Sequence, residues 1–134
     1  MRALRIHGYG GPEVLQLEDV AIPVPAEKQK LLKVKAASIN PIDWKMRRGM
    51  LAGVLPLSFP RTLGRDCAGE VDGKLYAGVA DMRTDGTHAE YAVLPESQCA
   101  PVPEGLDAAG AASLCVAGLS AYIPLVELSS LDKK

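Results

Sequence analysis

Cys67-Ala68-Gly69-Glu70-Val71-Asp72-Gly73-Lys74-Leu75-Tyr76-Ala77-Gly78 is the stretch that decides the fold class. Two short apolar segments flank an Asp-Gly pair, the dipeptide that most readily supplies positive φ at both positions of a two-residue turn. The spacing predicts a β-hairpin with strands over 67–71 and 74–80. Working outward, further alternating segments fall at 2–7, 14–20, 31–37, 88–94 and 98–102. The run from Lys30 to Ala37 is the strongest of them. Gly10-Gly11-Pro12 and Ile22-Pro23-Val24-Pro25 punctuate the chain as turns, because proline fixes φ and removes a donor. Many short strands with few helices predict a mainly β protein built as a closed or partly open barrel.

Composition changes after Pro103. Asp107 is placed to cap a helix beginning at Ala108, its carboxylate accepting from the first free N–H groups. A second helical stretch is expected from about Leu119 to Leu131, starting late or kinking at Pro124, since an interior proline costs about 3 kcal/mol. The expected division is a barrel domain over 1–106 and a helical segment over 107–134.

The chain has 134 residues, enough for one ordinary domain core. Fifteen basic and sixteen acidic residues leave a net charge of −1, which gives no electrostatic reason to expect nucleic acid or an anionic membrane as partner. No uninterrupted apolar run approaches the roughly 20 residues of a membrane span. The N-terminus alternates polar and apolar residues and lacks a signal peptide's apolar segment, so cytoplasm is the expected compartment. Cys67, Cys99 and Cys115 are widely spaced and read as small buried apolar residues rather than a disulfide framework.

Four motifs stand in order along the chain: Asn40-Pro41-Ile42-Asp43, Gly64-Arg65-Asp66-Cys67-Ala68-Gly69, Gly86-Thr87-His88-Ala89-Glu90-Tyr91 and Ala117-Gly118-Leu119-Ser120-Ala121-Tyr122. With Gly10-Gly11-Pro12-Glu13-Val14-Leu15 they resemble the N-terminal catalytic domain of the medium-chain dehydrogenase/reductases, nearest to the zinc-independent quinone-oxidoreductase branch. The resemblance covers nearly the whole chain. It implies a GroES-like, partly open barrel with short C-terminal helices, which would lead into a Rossmann domain absent from these 134 residues. It also implies an NADPH-dependent hydride transfer to quinones, enones or similar carbonyl acceptors, with little activity from this domain alone. The nucleotide-binding domain would be supplied in cis or in trans, and a homo-oligomer is compatible with the family. Relatives carry a longer connection where this chain has Asp72-Gly73, so either the hairpin is trimmed or the protein is a degraded relative; the Asp-Gly chemistry favours trimming. A stand-alone, non-catalytic binding or assembly module is the alternative from another functional class.

The resemblance places a Cys at Asn40 and a His at Arg65 in zinc-dependent relatives. Arginine stays protonated and cannot ligate a cation, so no zinc is expected. It places Asn40 near the nicotinamide, Asp43 beside it as an orienting carboxylate, and Ser120 where relatives often carry a nicotinamide-facing Thr. Each has a plainer reading. Asn40 suits a pre-proline turn, while Asp43 and Ser120 each suit a helix cap. Asp66 is expected to anchor a backbone or Arg contact, His88 to be structural, and Arg47-Arg48 to be a solvated basic pair. Where some relatives place a proton-donating Tyr, this chain reads Gly49-Met50-Leu51-Ala52-Gly53. The substrate pocket is therefore expected to be apolar, lined by Trp44, Met50 and Leu51. No G-x-G-x-x-G turn between a strand and a helix is present to hold a pyrophosphate.

Overall fold

Alternation carries the sheets. In the computed structural model, which describes residues 1–129, strands β1 (Arg2–Ile6), β2 (Gln16–Asp19) and β4 (Arg61–Thr62) form a three-stranded sheet in the order β2-β1-β4. Strands β3 (Gln29–Ala37), β5 (Asp66–Val71), β6 (Lys74–Val79), β7 (Tyr91–Pro95) and β8 (Cys99–Pro101) form a five-stranded antiparallel sheet. Its order is β7-β3-β5-β6-β8, and it curls into a GroES-like half-barrel. A register shift between Val34 and Ala36 marks a bulge in β3, the device that lets a strand bend with a closing sheet.

The hairpin at the centre forms as its sequence requires. Asp72 has φ 50° and Gly73 φ 75°, so both turn residues are left-handed. Asp66 to Val71 pair in unbroken register with Val79 to Lys74.

Neighbouring residues on β5 divide the interior, because successive side chains of a strand point to opposite faces. Cys67 faces the inside of the curl with Leu32, Ala80, Ala92 and Leu94. Ala68 faces outward, against Ala111 and Ala112 of helix α2 (Ala108–Tyr122). A third cluster, Ile6, Met46 and Leu63, joins the smaller sheet to helix α1 (Pro41–Arg47) and the loop after it. Burying a residue such as Ile6 or Leu32 contributes about 1.5–3 kcal/mol. The single Phe, Phe59, is 37% exposed, so aliphatic side chains fill these cores.

Several expectations need adjusting. The strand expected from residue 14 begins at Gln16, because Pro12–Val14 form a 3-10 turn. The two-residue β4 carries too little pattern to be legible in the sequence. The C-terminal helices are one continuous element: Asp107 Oδ1 accepts the Gly110 N–H at 2.7 Å, and α2 then runs through Leu119 to Tyr122. Pro124 neither starts nor breaks it. The chain widens into a π-helical turn over Ile123–Leu128, which relieves the ring's conflict with the carbonyl four residues earlier. Leu131, the expected helix end, lies outside the described residues. From Ala108 to Leu128 this element is 21 residues long with mean hydropathy 1.7, enough to cross a membrane by length and composition alone. Its Gly, Ser and Pro residues break the apolar run when read as punctuation, which hides that property in the sequence.

Candidate functional site

Asp66 opens β5 and is 0% exposed. Its approach is set by Gly64, whose φ of 106° excludes most side chains and whose absent Cβ would lie 2.7 Å from the His88 backbone nitrogen. A fully buried carboxylate needs donors around it, and Asp66 has them from three elements. Oδ1 accepts Ser38 Oγ–H at 2.5 Å and Asn40 Nδ2–H at 3.1 Å; Oδ2 accepts the Val116 N–H of α2 at 3.0 Å. Its backbone carbonyl accepts Thr87 Oγ1–H at 2.9 Å. The expected backbone anchor is thus Val116. The side chain ties the end of β3, the start of α1 and α2, while the backbone carbonyl of the same residue holds the 86–88 loop.

Asn40, 7% exposed, is the N-cap of α1, with Pro41 at the first helical position, where its missing N–H costs nothing. The Asp43 carboxylate accepts the Asn40 N–H at 2.7 Å, forming a capping box. Asp43 therefore lies inside the first turn of α1 rather than before a helix beginning at Trp44. The Asn40 amide nitrogen turns inward to Ser38 Oγ and Asp66 Oδ1, both at 3.1 Å. His88 Nε2 lies 3.2 Å from the Ser38 carbonyl, a bond only the Nε2–H tautomer can donate.

Asp43 is 4% exposed, and burial pushes its pKa up, against the opposing Asn40 hydrogen bond and the charges of His88 and Arg65; Asp66 adds to the rise. Asp43 Oδ1, Arg61 Nε and Arg65 Nη1 are buried without partners among the described residues. Asp43, Arg61 and Arg65 border a cavity of about 10 Å³, the threshold for a single water. Burial also lowers the Arg65 pKa, while Asp43, Asp81 and Asp66 resist that fall.

Ser120 lies one turn beyond Val116 on α2 and is exposed. The structure joins Asn40 and Asp43 in the first turn of α1 and leaves Ser120 exposed on α2. Trp44 and Met50 face solvent, 39% and 61% exposed, whereas Leu51 packs against the cluster of Ile6, Met46 and Leu63. Ser38 and Thr87 escaped the sequence reading. Val116 had no sequence signal at all, because it acts through its backbone N–H.

A curled antiparallel half-barrel with a helix laid across its outer face, and a buried carboxylate pinning the two, defines a GroES-like module. Residues 26–104 match the alcohol dehydrogenase GroES-like domain. The chain belongs to that family. It is 38% identical, over 98% of its length, to a chloroplastic quinone-oxidoreductase homolog of Spinacia oleracea, and 35% identical over 94% to the human quinone oxidoreductase. Among solved structures it matches the quinone oxidoreductase of Coxiella burnetii with TM-score 0.83 and 36% identity, covering 90% of this chain and 43% of that one. The Thermus thermophilus quinone oxidoreductase, solved also with NADPH, matches with TM-score 0.80 and 34% identity, covering 93% and 40%. The chain spans less than half of its curated relatives, 44% of the spinach protein and 41% of the human one. The spinach alignment extends over 143 positions, more than this chain's 134 residues, so the relative carries residues missing here.

Proposed function

We propose that this protein is the catalytic-domain portion of an NADPH-dependent, zinc-independent oxidoreductase that reduces quinones, enones or similar carbonyl acceptors by hydride transfer. A nucleotide-binding domain in cis or in trans completes it, with residues 1–106 as the barrel and 107–134 as the helical lead toward that domain. The observation that carries this reading is the Asp66-centred cluster, which fixes α1 against α2. Close likeness to quinone oxidoreductases, one of them solved with NADPH, supports it.

NADPH would supply the hydride. By resemblance Asn40 and Asp43 would stand at the nicotinamide end, held rigid by their internal hydrogen bonds, and the exposed Ser120 would offer a hydroxyl. The chain offers no glycine-rich turn for the pyrophosphate. With Arg65 where a zinc ligand stands in metal-dependent relatives, positioning and hydrogen bonding carry the chemistry. Trp44 and Met50 give the acceptor an apolar approach, and Leu51 supports them from the core. Cytoplasm is the compartment we propose, although the spinach relative is chloroplastic by name.

The exposed apolar face of α2 and its extension favours a completed enzyme over a stand-alone module. Leu119, Leu125 and Leu128 are 48%, 58% and 77% exposed, a surface that normally has a partner. The test is NADPH oxidation with a soluble benzoquinone, by this chain alone and by this chain fused to the nucleotide-binding domain of the spinach relative. Turnover is expected only in the fusion, lowered by Ser120→Ala. A well-folded fusion without turnover would refute the redox reading, and vigorous turnover by the chain alone would refute the need for a partner.

A further inference from the structure

Residues 49–60, Gly-Met-Leu-Ala-Gly-Val-Leu-Pro-Leu-Ser-Phe-Pro, contain no charged side chain. A charge-free surface loop of this length normally hides its apolar residues, and this one divides them. Leu51, Leu55 and Leu57 turn inward against Ile6 and Met46. Met50 (61%), Val54 (83%) and Phe59 (37%) face outward. The loop is held in place: Met50 N–H donates to the Lys45 carbonyl at 3.0 Å, Leu55 N–H to the Leu51 carbonyl at 2.7 Å, and Leu57 N–H to Tyr9 Oη at 2.9 Å. The Tyr9 ring meets Phe59 edge to face at 4.9 Å.

Cations border this apolar tip. From Trp44 to Arg61 the chain carries four basic residues and no acidic one. Arg47 is used internally, donating to the Gly10 carbonyl at 2.8 Å, and Arg61 is buried. Arg48 is exposed, with its guanidinium carbon over the Trp44 ring 5.5 Å from the centroid; Lys45 Nζ lies 5.7 Å from it. Asp43 is buried; the surface acid Glu13 accepts the Gly11 N–H at 2.7 Å. Hydrogen bonds from its own backbone N–H and that of Gly11 hold the Glu13 pKa down, and its charge offsets part of that of Arg48. An exposed indole flanked by two cations, beside a protruding apolar tip, matches a bilayer interface, where aromatic rings sit at headgroup level and basic groups meet anionic lipid. The apolar face of α2 lacks this match: residues 108–128 hold Glu127 and no cation.

We propose that the 44–60 segment docks the protein on the surface of an anionic lipid bilayer, with Met50 and Val54 entering the interface and Lys45 and Arg48 facing the headgroups. Docking is peripheral and uses the face that the redox reading gives to the acceptor's approach, so an acceptor would reach Trp44 and Met50 from the bilayer surface. Vesicle binding is read without turnover and stands or falls separately. The near-neutral net charge of the whole chain conceals it, because the segment from Trp44 to Arg61 carries no acid of its own.

The chain's one tryptophan, Trp44, reports on the patch directly. The purified protein is mixed with vesicles of phosphatidylcholine and phosphatidylglycerol, and with phosphatidylcholine alone. Sedimentation with the anionic vesicles and a shift of Trp44 emission to shorter wavelength are expected, both weakening as salt rises. Lys45→Gln with Arg48→Gln should weaken binding roughly 30-fold, about fivefold per cation. Val54→Asp, at an exposed site that leaves circular dichroism unchanged, should abolish the emission shift. Val24→Asp, at a 90% exposed site outside the segment, should bind as the unaltered protein does. Absence of vesicle binding overturns the proposal. So does binding with unmoved Trp44 emission and indifference to Val54→Asp, which would assign the contact to α2. Equal affinity for neutral vesicles overturns the role of the cations.

Discussion

Replacing Asp66 with Asn keeps the side chain's shape and removes its ability to accept on both sides. The carboxylate receives Ser38 Oγ–H and Asn40 Nδ2–H on Oδ1 and the Val116 N–H on Oδ2. An amide must place its NH2 against one of these sets. The less costly orientation faces Val116, whose N–H can fall back on the Ala112 carbonyl one helical turn earlier. What is lost is one charge-assisted hydrogen bond, about 1.5–3 kcal/mol, with part of the penalty for an unpaired buried donor. We expect Asp66→Asn to destabilise the protein by about 2–4 kcal/mol, against a total of about 7–20 kcal/mol for a chain of this size. Urea unfolding followed by Trp44 emission measures the loss, and amide exchange at Val116 locates it. A loss below about 0.5 kcal/mol with Val116 exchange unchanged would refute the view of Asp66 as the pin between barrel and helix. A double-mutant cycle with Asn40→Ala should show coupling of at least about 0.5 kcal/mol, since the two groups touch.

Burial raises the Asp43 pKa, so its ionisation costs stability. Well below pH 3.8 both states are protonated and the cost vanishes; as pH rises past that value the unfolded chain ionises first and this contribution falls, levelling once the folded carboxyl has titrated. Asp43→Asn, which keeps an oxygen for the Asn40 N–H, should flatten that decline in urea midpoints measured between about pH 3 and pH 7. Gly73→Ala meets no atom within 4 Å but must hold φ at 75°, so it should cost about 1–2 kcal/mol in thermal unfolding from backbone strain alone. Burial pushes the Cys67 thiol up to about 12 and Cys115 to about 11. Alkylation near pH 8 should therefore reach Cys67 only after unfolding, as read by mass spectrometry.

The hairpin illustrates how local chemistry becomes legible. Asp72-Gly73 needs only its own two residues to turn, so strands 67–71 and 74–80 follow from the sequence, as does the Asp107 cap. The start of α1 is harder. Asp43 reads as a cap because carboxylates cap helices, but Asn40 and Pro41 begin the helix and Asp43 closes its first turn from within. Leu51 groups with Trp44 and Met50 by adjacency, yet the turns of the 49–60 loop send it inward, a choice made by Ile6 and Met46 from distant parts of the chain.

What the sequence by itself determined was therefore whatever short-range rules control: the alternation of the strands, the turn chemistry, the helix start at Ala108 and the ordered motifs that mark the family. Tertiary structure alone decided which polar groups meet. Asp66 pairs with Asn40, 26 residues away, and with Val116, 50 residues away. No local pattern encodes those distances. They follow from curling the sheet and laying α2 across it, because a carboxylate stripped of water must take its donors from whichever elements the packing delivers.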